Sequence, residues 1–249
     1  MLNIVIPMAG LGSRFSEASF KVPKPLIKIG KKTMIELVVA NLKPNKEEAN
    51  FIFICNSDLN SNHYFDDLLG TLNLKHKIIQ IDYLTDGPAE TVNLAKKIIN
   101  LNDELLIANC DQYIDYDIDE ILQYARQNFS DGLILTMNDT NKKWSFIKKD
   151  NTNNVLDIKE KEVISDEATV GIYYFKQANY FFNAFDQMKF NKDKSNNEYY
   201  VGPSYNYLIK ENKKINFLNI GKYREKMFGL GDPEDLAYFL SNFIGIKND

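Results

Sequence analysis

Continuous apolar segments alternate with amphipathic stretches through the first half of the chain, and this alternation limits the fold more than any other feature. Five short segments are apolar along nearly their whole length, as buried strands are; they are 4–6, 51–54, 78–81, 105–108 and 133–135. Three stretches carry apolar residues at helical spacing, within 34–42, 92–99 and 118–125. Buried strands separated by amphipathic helices indicate a mainly parallel sheet that is covered by helices on both faces.

The pattern changes after residue 140. Short polar turns join three further predicted strands, at 144–149, 155–159 and 168–175, and indicate an antiparallel extension of the sheet. Helices are predicted at 177–187, 199–211 and 233–243, with a strand at 215–220. A chain of 249 residues can form one α/β domain. We therefore expect a single domain over 1–249, a three-layer α/β/α sandwich with a mixed, mainly parallel central sheet.

The charge balance argues against a nucleic-acid partner, and the short apolar segments argue against a membrane. Lys and Arg number 30 and Asp and Glu number 34, which gives a net charge of −4, whereas nucleic-acid binders usually carry a basic surplus. No apolar segment approaches the roughly 20 residues that a membrane-spanning helix needs, and the N-terminal apolar run stops at Pro7. We expect no nucleic acid and no membrane as partners, although a few local cations could hold a phosphorylated small molecule.

The cysteines and histidines form no recognisable metal motif. Cys55 and Cys110 each close an apolar run, and we interpret them as buried thiols in a reducing cytoplasm. His63 and His76 lie in polar surroundings and are interpreted as surface residues. The aromatic residues within 173–175 and 180–182 are expected in the core, whereas Trp144 could lie in the core or contact a ligand.

A loop suited to phosphate follows the first predicted strand. Gly10 and Gly12 can turn backbone N–H groups toward an anion and allow its close approach. Arg14 can form a forked pair with phosphate oxygens, and Lys24 supplies a compact charge. The two prolines that flank Lys24 stiffen its segment. The parallel sheet should hold its ligand at the carboxyl ends of its strands, where this loop lies.

Six segments in order resemble the motifs of the sugar-phosphate nucleotidyltransferases, the NDP-sugar pyrophosphorylases. They are 10–14 with 23–26, 87–91, 109–111, 160–161 with 168–173, 198–201, and 231–236. The resemblance implies a Rossmann-like fold in which 1–140 binds the nucleotide and 141–249 binds the acceptor. It implies transfer of a nucleoside monophosphate from an NTP to a sugar phosphate with release of pyrophosphate. The product would be an activated nucleotide sugar for surface polysaccharide synthesis, made in the cytoplasm.

The resemblance also implies roles for individual residues. Arg14 and Lys24 would be catalytic, because they would neutralise the triphosphate. The implied nucleotide-binding residues are Ala9, Gly10, Gly12, Ser13, Asp82, Gly87 and Pro88. The implied acceptor-binding residues are Glu160, Lys161, Gly171 and Glu198. The cofactor would be Mg²⁺, with Asp111 and Asp232 as its protein ligands, and a homo-oligomer is compatible with the family.

Three positions depart from the pattern or compete with it. Many family members have a second metal-binding Asp where this chain has Gly229, so Asp232 either replaces that ligand or caps the closing helix. Asp82 stands where thymidylyl members use Gln. It either accepts from an amino-bearing base, which would favour CTP or GTP, or ends its strand in solvent. Asp115 and Asp117 form an Asp-x-Asp, for which a helix N-terminus is favoured over a metal site.

Other functions stay open at this point. A cytidylyltransferase for a polyol or amino-alcohol phosphate is the alternative within the class, because the acceptor loops match least. A metal-dependent glycosyltransferase could share the architecture. Because Gly229 stands where many family members have an acidic residue, the chain could also be an inactive module that only binds nucleotide. Since the chain shows no hexapeptide repeats, we expect no acyltransferase half of the β-helix kind.

Overall fold

The computed structural model describes residues 1–10, 12–59 and 64–242. The strands in these ranges are β1 (Leu2–Met8), β2 (Lys28–Ile29), β3 (Lys32–Thr33), β4 (Ala49–Asn56), β5 (Lys75–Ile81), β6 (Glu104–Ala108), β7 (Gln112–Ile114), β8 (Gly132–Asn138), β9 (Ser145–Lys149), β10 (Val155–Glu160), β11 (Glu167–Phe175), β12 (Ile215–Lys222) and β13 (Met227–Gly229). The helices are α1 (Ser13–Glu17), α2 (Met34–Leu42), α3 (Tyr64–Thr71), α4 (Pro88–Asn93), α5 (Ile118–Gln127), α6 (Ala178–Phe190), α7 (Tyr205–Lys210) and α8 (Pro233–Asn242). His63 and Phe243, for which the sequence carried predictions, lie outside the described residues.

One nine-stranded sheet organises the chain. Its main path runs β12-β8-β11-β6-β1-β4-β5, and β9 and β10 extend it from β11. Along the main path only β11 runs antiparallel to its two neighbours, while every other adjacent pair is parallel. The prediction of a mixed, mainly parallel sheet with an antiparallel extension is confirmed.

Helices cover both faces because successive strand residues point to opposite sides. In β1, Ile4 and Ile6 pack into a cluster with α2 and α5, whereas Val5 packs into a second cluster with α4, α6 and α7. Both cysteines are buried, as predicted: Cys55 lies on β4 and Cys110 in the loop after β6. The three-layer α/β/α sandwich is therefore confirmed. In the described ranges no helix has the length and apolar character that crossing a bilayer requires.

One predicted helix and one predicted surface residue differ from the structure. The helix expected over 199–211 begins only at Tyr205, after a tight helical turn at 202–204. Residues before it are held in another way, because Tyr199 N–H donates to the carbonyl of Asp86 (2.7 Å) and Ala89 N–H donates to the carbonyl of Tyr199 (2.9 Å). His76, expected on the surface, is half-buried and lies 3.6 Å from Asp66.

A small two-stranded sheet places the closing segment beside the end of β6. In it β7 pairs antiparallel with β13, with Gln112 opposite Gly229. The N–H of Leu230 then donates to the carbonyl of Asp111 (2.8 Å). The chain from 227 to 232 is thereby fixed next to Asp111, although more than a hundred residues separate them.

Candidate active site

The loop after β1 turns into α1 through a left-handed residue. Gly12 has φ 61°, a conformation that glycine adopts without strain. The N–H of Phe15 donates to the Gly12 carbonyl (3.0 Å), and the Phe15 ring is buried, which anchors the helix that carries Arg14. Lys24 begins a tight helical turn whose Pro25 is buried.

An ion pair joins this loop to the end of β6. The Nζ of Lys24 lies 2.5 Å from Oδ2 of Asp111, and the two side chains are only 16% and 21% exposed. Burial acts to raise the pKa of Asp111, but the charges of Lys24 and Arg14 lower it below its ordinary value. Burial acts to lower the pKa of Lys24, but Asp111 raises it above its ordinary value. Asp111 is therefore a carboxylate and Lys24 an ammonium at neutral pH.

Two adjoining cavities meet at this ion pair. The first, here called the loop cavity, has a volume of 450 Å³ and is bounded by the glycine loop, Lys24 and Leu84. The second, the sheet cavity, has a volume of 360 Å³ and is bounded by Arg14, Lys161 and Trp144. Both cavities share the same dividing residues, which are Pro88, Asn109, Asp111 and Glu198.

The structure brings most of the sequence-predicted site residues together at these cavities. The loop cavity is lined by Ala9, Gly10, Gly12, Lys24, Gly87, Pro88, Asp111 and Glu198. The sheet cavity is lined by Arg14, Pro88, Asp111, Glu160, Lys161, Gly171, Glu198 and Asp232. Ser13 begins α1, and its side chain lies outside the described part of the structure.

Asp82 is the exception among the predicted site residues. It is exposed directly after β5 and lines neither cavity. The last residue of β5, Ile81, faces inward, and side chains alternate along a strand, so Asp82 points to the other side. This position agrees with the solvent-exposed alternative, and the interpretation of Asp82 as a reader of the base stays a prediction. Leu84 and Thr85 line the cavity in its place.

The second loop needs glycine at Gly87. Its φ is 120°, and a Cβ there would lie 2.7 Å from the backbone N and O of Tyr199. Ion pairs reinforce this close approach, because Lys194 pairs with Asp86 (2.7 Å) and Lys189 with Glu90 (2.5 Å). Loop 86–90 and segment 194–199 therefore form one wall, from which Glu198 lines both cavities.

A second glycine shapes the floor of the sheet cavity. Gly171, in β11, has φ 76°, and a Cβ there would lie 2.2 Å from Asn109 Nδ2 and 2.6 Å from Gln112 Oε1. The glycine thus leaves room for these two amide side chains. Gln112 is 4% exposed, and among the residues that the structure describes its Nε2 has no hydrogen-bond partner. The sequence analysis did not single out Gln112, although its place directly after Asp111 was a usable signal.

Glu160 and Lys161 also line the sheet cavity. Glu160 accepts a short hydrogen bond from Ser145. Burial raises the pKa of Glu160 above its ordinary value, although Ser145 and Lys161 oppose the rise. Lys161 has φ 56°, and its Nζ donates to the hydroxyl of Tyr200 (3.1 Å). The ammonium of Lys161 thus has a neutral partner and faces the cavity.

In the closing segment Asp232 has the capping role that the sequence left open, and two further residues appear that the sequence analysis missed. Asp232 caps α8, because its Oδ1 accepts from the N–H of Asp235 (2.9 Å). It also lines the sheet cavity, with its Oδ2 3.7 Å from Arg14 Nη1. Beside it, Asp235 Oδ2 accepts from Lys143 Nζ (2.7 Å). Lys143 was missed because it belongs to no local motif and lies 92 residues from Asp235, which falls within the 231–236 motif but was given no role there.

The Asp-x-Asp at 115–117 lies away from both cavities. Asp117 Oδ1 accepts from the N–H of Asp119 (2.9 Å) and so caps α5. Asp115 pairs with Lys226 (2.7 Å). The prediction of a helix N-terminus is confirmed for these residues.

The residues at the junction fit a magnesium ion that is held mainly by substrate. Within the described ranges no group of three or more His, Cys, Asp or Glu side chains could bind a metal without help. Mg²⁺ commonly uses one or two carboxylates together with substrate phosphates and water, and Asp111 and Asp232 both line the sheet cavity. A Cβ on Gly231 would lie 2.6 Å from Asp111 Oδ2, so glycine leaves that carboxylate accessible.

Comparisons with known proteins agree with this geometry. The model of the nucleotidyl transferase family matches residues 4–222. The bifunctional protein GlmU of Methanococcus aeolicus is 26% identical over the whole chain, which spans 56% of that relative's length. A nucleoside-diphosphate-sugar pyrophosphorylase of Vibrio cholerae is 26% identical with a TM-score of 0.82, over 96% of this chain and 100% of that one.

A more distant structure shares only the fold. The inositol-1-phosphate CTP transferase of T. maritima is 12% identical with a TM-score of 0.76, over 99% of this chain and 96% of that one. The family model covers most of the chain. The glycine loop, Lys24 and Asp111 also line one cavity, as the resemblance to this family implied. The chain belongs to the nucleotidyl transferase family.

Proposed function

We propose that the chain transfers a nucleoside monophosphate from an NTP to a sugar phosphate, or to a related phosphorylated acceptor, and releases pyrophosphate. In this proposal 1–140 binds the NTP in the loop cavity, and 141–249 supplies most of the sheet cavity for the acceptor. The observation that carries the proposal is the position of Asp111. It lines both cavities, pairs with Lys24 and lies in the field of Arg14.

The reaction needs positioning and charge more than a covalent nucleophile. A phosphate oxygen of the acceptor attacks the α-phosphorus, and the bond from that phosphorus to the bridging oxygen breaks, so its electron pair leaves with pyrophosphate. Lys24, which lines the loop cavity, would neutralise the triphosphate, and Arg14, whose charge acts on Asp111 from the sheet cavity, would neutralise the part of the triphosphate that reaches the junction. Mg²⁺ held by Asp111 and Asp232 would supply further neutralisation of the phosphate charges. The attacking group is already an anion, which removes the need for a general base.

The floor of the sheet cavity supports an acceptor that carries hydroxyl groups. An unpaired buried donor costs about 1–3 kcal/mol, and Gln112 Nε2 is such a donor. A hydroxyl oxygen of a sugar or polyol would accept from it. Glu160 and Glu198 can accept from neighbouring hydroxyls, and the Lys161 ammonium suits the acceptor phosphate.

The setting is also proposed. NTPs are cytoplasmic substrates, and the two cysteines are buried and unpaired, which suits a reducing compartment. By its family resemblance the product would serve surface polysaccharide synthesis.

A panel assay tests the function directly. Each of the four NTPs is mixed with sugar 1-phosphates, a polyol phosphate and an amino-alcohol phosphate, with Mg²⁺, and pyrophosphate is measured. All four NTPs are needed because Asp82 does not face the cavity. The expected result is pyrophosphate release that depends on one NTP and one acceptor. In a parallel reaction a nucleotide sugar replaces the NTP, and consumption of that nucleotide sugar without pyrophosphate would indicate a glycosyltransferase. NTP binding without pyrophosphate from any acceptor would indicate an inactive module, and either result overturns the proposal.

A further inference from the structure

A lysine that the proposed mechanism does not use is fixed in the wall of the sheet cavity. Lys143 lies just before β9, and its Nζ donates to Asp235 Oδ2 (2.7 Å) and to the hydroxyl of Tyr223 (3.0 Å). The same ammonium lies 4.6 Å from the ring centroids of both Trp144 and Tyr223. The side chain stays 31% exposed. A side chain that is usually mobile is thus held in one position, with its charge toward the cavity.

Lys143 shares its carboxylate partner, Asp235, with a second cation, although the carboxylates of Asp111, Glu160, Glu198 and Asp232 also line the sheet cavity. Asp235 is 6% exposed and pairs with two cations, Lys143 and Arg224 (3.1 Å). The other partner of Arg224 is Glu234, whose side chain is 87% exposed, so solvent screens it. Aromatic faces attract a cation but do not neutralise it. The single negative charge of the buried Asp235 carboxylate is therefore shared by two cations, Lys143 and Arg224.

Gly229 makes this arrangement possible. A Cβ at this position would lie 3.0 Å from Asp235 Oδ2 and 3.2 Å from the hydroxyl of Tyr223. Glycine at position 229 therefore leaves room for the Asp235 carboxylate and the Tyr223 hydroxyl, which hold Lys143. It also sits opposite Gln112 in the pairing of β7 with β13. Lys143, Gln112 and Asp111 all line the sheet cavity.

We propose that Lys143 binds an anionic group of the phosphorylated acceptor and that Asp235 is the positioning residue for it. The proposal rests on the assignment of the sheet cavity to the acceptor. The anionic group is either the acceptor phosphate itself or a carboxylate elsewhere on the acceptor. Both present anionic oxygens to the ammonium, and the experiment below separates them.

The test measures binding to the full chain without metal. Inorganic phosphate, glucose 1-phosphate and glucuronic acid 1-phosphate are titrated in EDTA by calorimetry. Because a hydrogen bond to a charged group contributes about 1.5–3 kcal/mol, Lys143→Met should weaken binding about ten- to a hundredfold. Weakening for all three probes identifies the phosphate, and weakening for the sugar acid alone identifies a carboxylate. Equal affinities of wild type and variant, or no binding of any probe to wild type, overturn the proposal.

Control variants separate binding from structure. Lys142→Met removes an exposed neighbouring charge and should bind like wild type, while Lys143→Arg should retain most of the affinity. Asp235→Asn should raise the KM for the acceptor while kcat and the KM for NTP stay near wild type. A structural role alone would instead lower the melting temperature and alter both KM values together.

Failure of this proposal can be told from failure of the proposed function. If the panel assay gives no pyrophosphate with wild type, the function is overturned and this proposal falls with it. If wild type turns over and Lys143→Met keeps the same acceptor KM, the function stands and only the role of Lys143 is lost.

Discussion

The ammonium of Lys24 lies 2.5 Å from the carboxylate of Asp111, across 87 residues of sequence. The pair closes the junction of two cavities whose volumes are 450 and 360 Å³. Lys24 stands on a turn stiffened by Pro23 and Pro25, and Asp111 follows a buried parallel strand. Because both supports are rigid, the charges are preorganised before any polyphosphate arrives.

Lys24→Ala should reduce kcat/KM about 10²- to 10³-fold, because removal of one preorganised group that stabilises developing charge has effects of that size. Steady-state pyrophosphate release with a valid substrate pair measures the loss. Lys21→Ala, on the exposed part of the same loop, is the matched control and should retain wild-type rates. Unchanged activity of Lys24→Ala would remove Lys24 from the phosphate site.

Asp111→Asn should lower Mg²⁺-dependent turnover far more than it changes the melting temperature. The amide keeps the shape of the side chain but is a poorer ligand for a hard cation. A Mg²⁺ titration of activity, followed by thermal unfolding of the same samples, measures both effects. Asp115→Asn, whose carboxylate pairs with Lys226 away from the cavities, should show neither. A wild-type magnesium dependence in Asp111→Asn excludes Asp111 as a ligand.

Glu160→Gln should stabilise the protein more at pH 7 than at pH 4. Burial raises the pKa of Glu160 above its ordinary 4.5. Between 4.5 and that raised value the folded protein binds more protons than the unfolded chain, so the free energy of unfolding falls as the pH rises. The glutamine removes this dependence. Chemical denaturation at several pH values measures it, with the exposed Glu162→Gln as control; parallel pH profiles for Glu160→Gln and wild type would contradict the prediction.

Gly87→Ala should destabilise the protein by about 1–3 kcal/mol, because it combines positive φ with a clash against the Tyr199 backbone. Gly70→Ala provides the opposite case, since its Cβ would meet nothing within 4 Å. It should be neutral or stabilising by up to about 1 kcal/mol, as expected in a helix. Urea unfolding of both variants measures the difference. Similar effects of the two substitutions would show that the close approach at Gly87 does not hold the wall.

The fold was predictable because apolar periodicity is a local property of the sequence. Ile4 and Ile6 face one layer and Val5 the other, as a strand buried on both faces requires. The helix expected from 199 was wrong at its start, because the Tyr199 backbone bonds to Asp86 and Ala89, and such a tertiary contact leaves no periodic signal.

The candidate site was predictable where motifs are contiguous and not elsewhere. Arg14, Lys24 and Asp111 belong to short segments that are identifiable along the chain. Lys143 and Asp235 come together only because β13 pairs with β7 and carries α8 alongside the sheet cavity. The role of Asp82 stays a prediction, because the residue is exposed after the end of β5 and lines neither cavity.

Part of the partition between the two cavities is the wall formed by loop 86–90 and segment 194–199, which contributes Pro88 and Glu198 to both. Tyr199 is bonded through its backbone to Asp86 and to Ala89, and the next residue upstream, Glu198, lines both sides. If the two cavities bind nucleotide and acceptor as proposed, a displacement of this wall by one ligand would also move the surface that meets the other. Thermodynamic reciprocity then requires that whatever factor the nucleotide applies to acceptor affinity, the acceptor applies to nucleotide affinity.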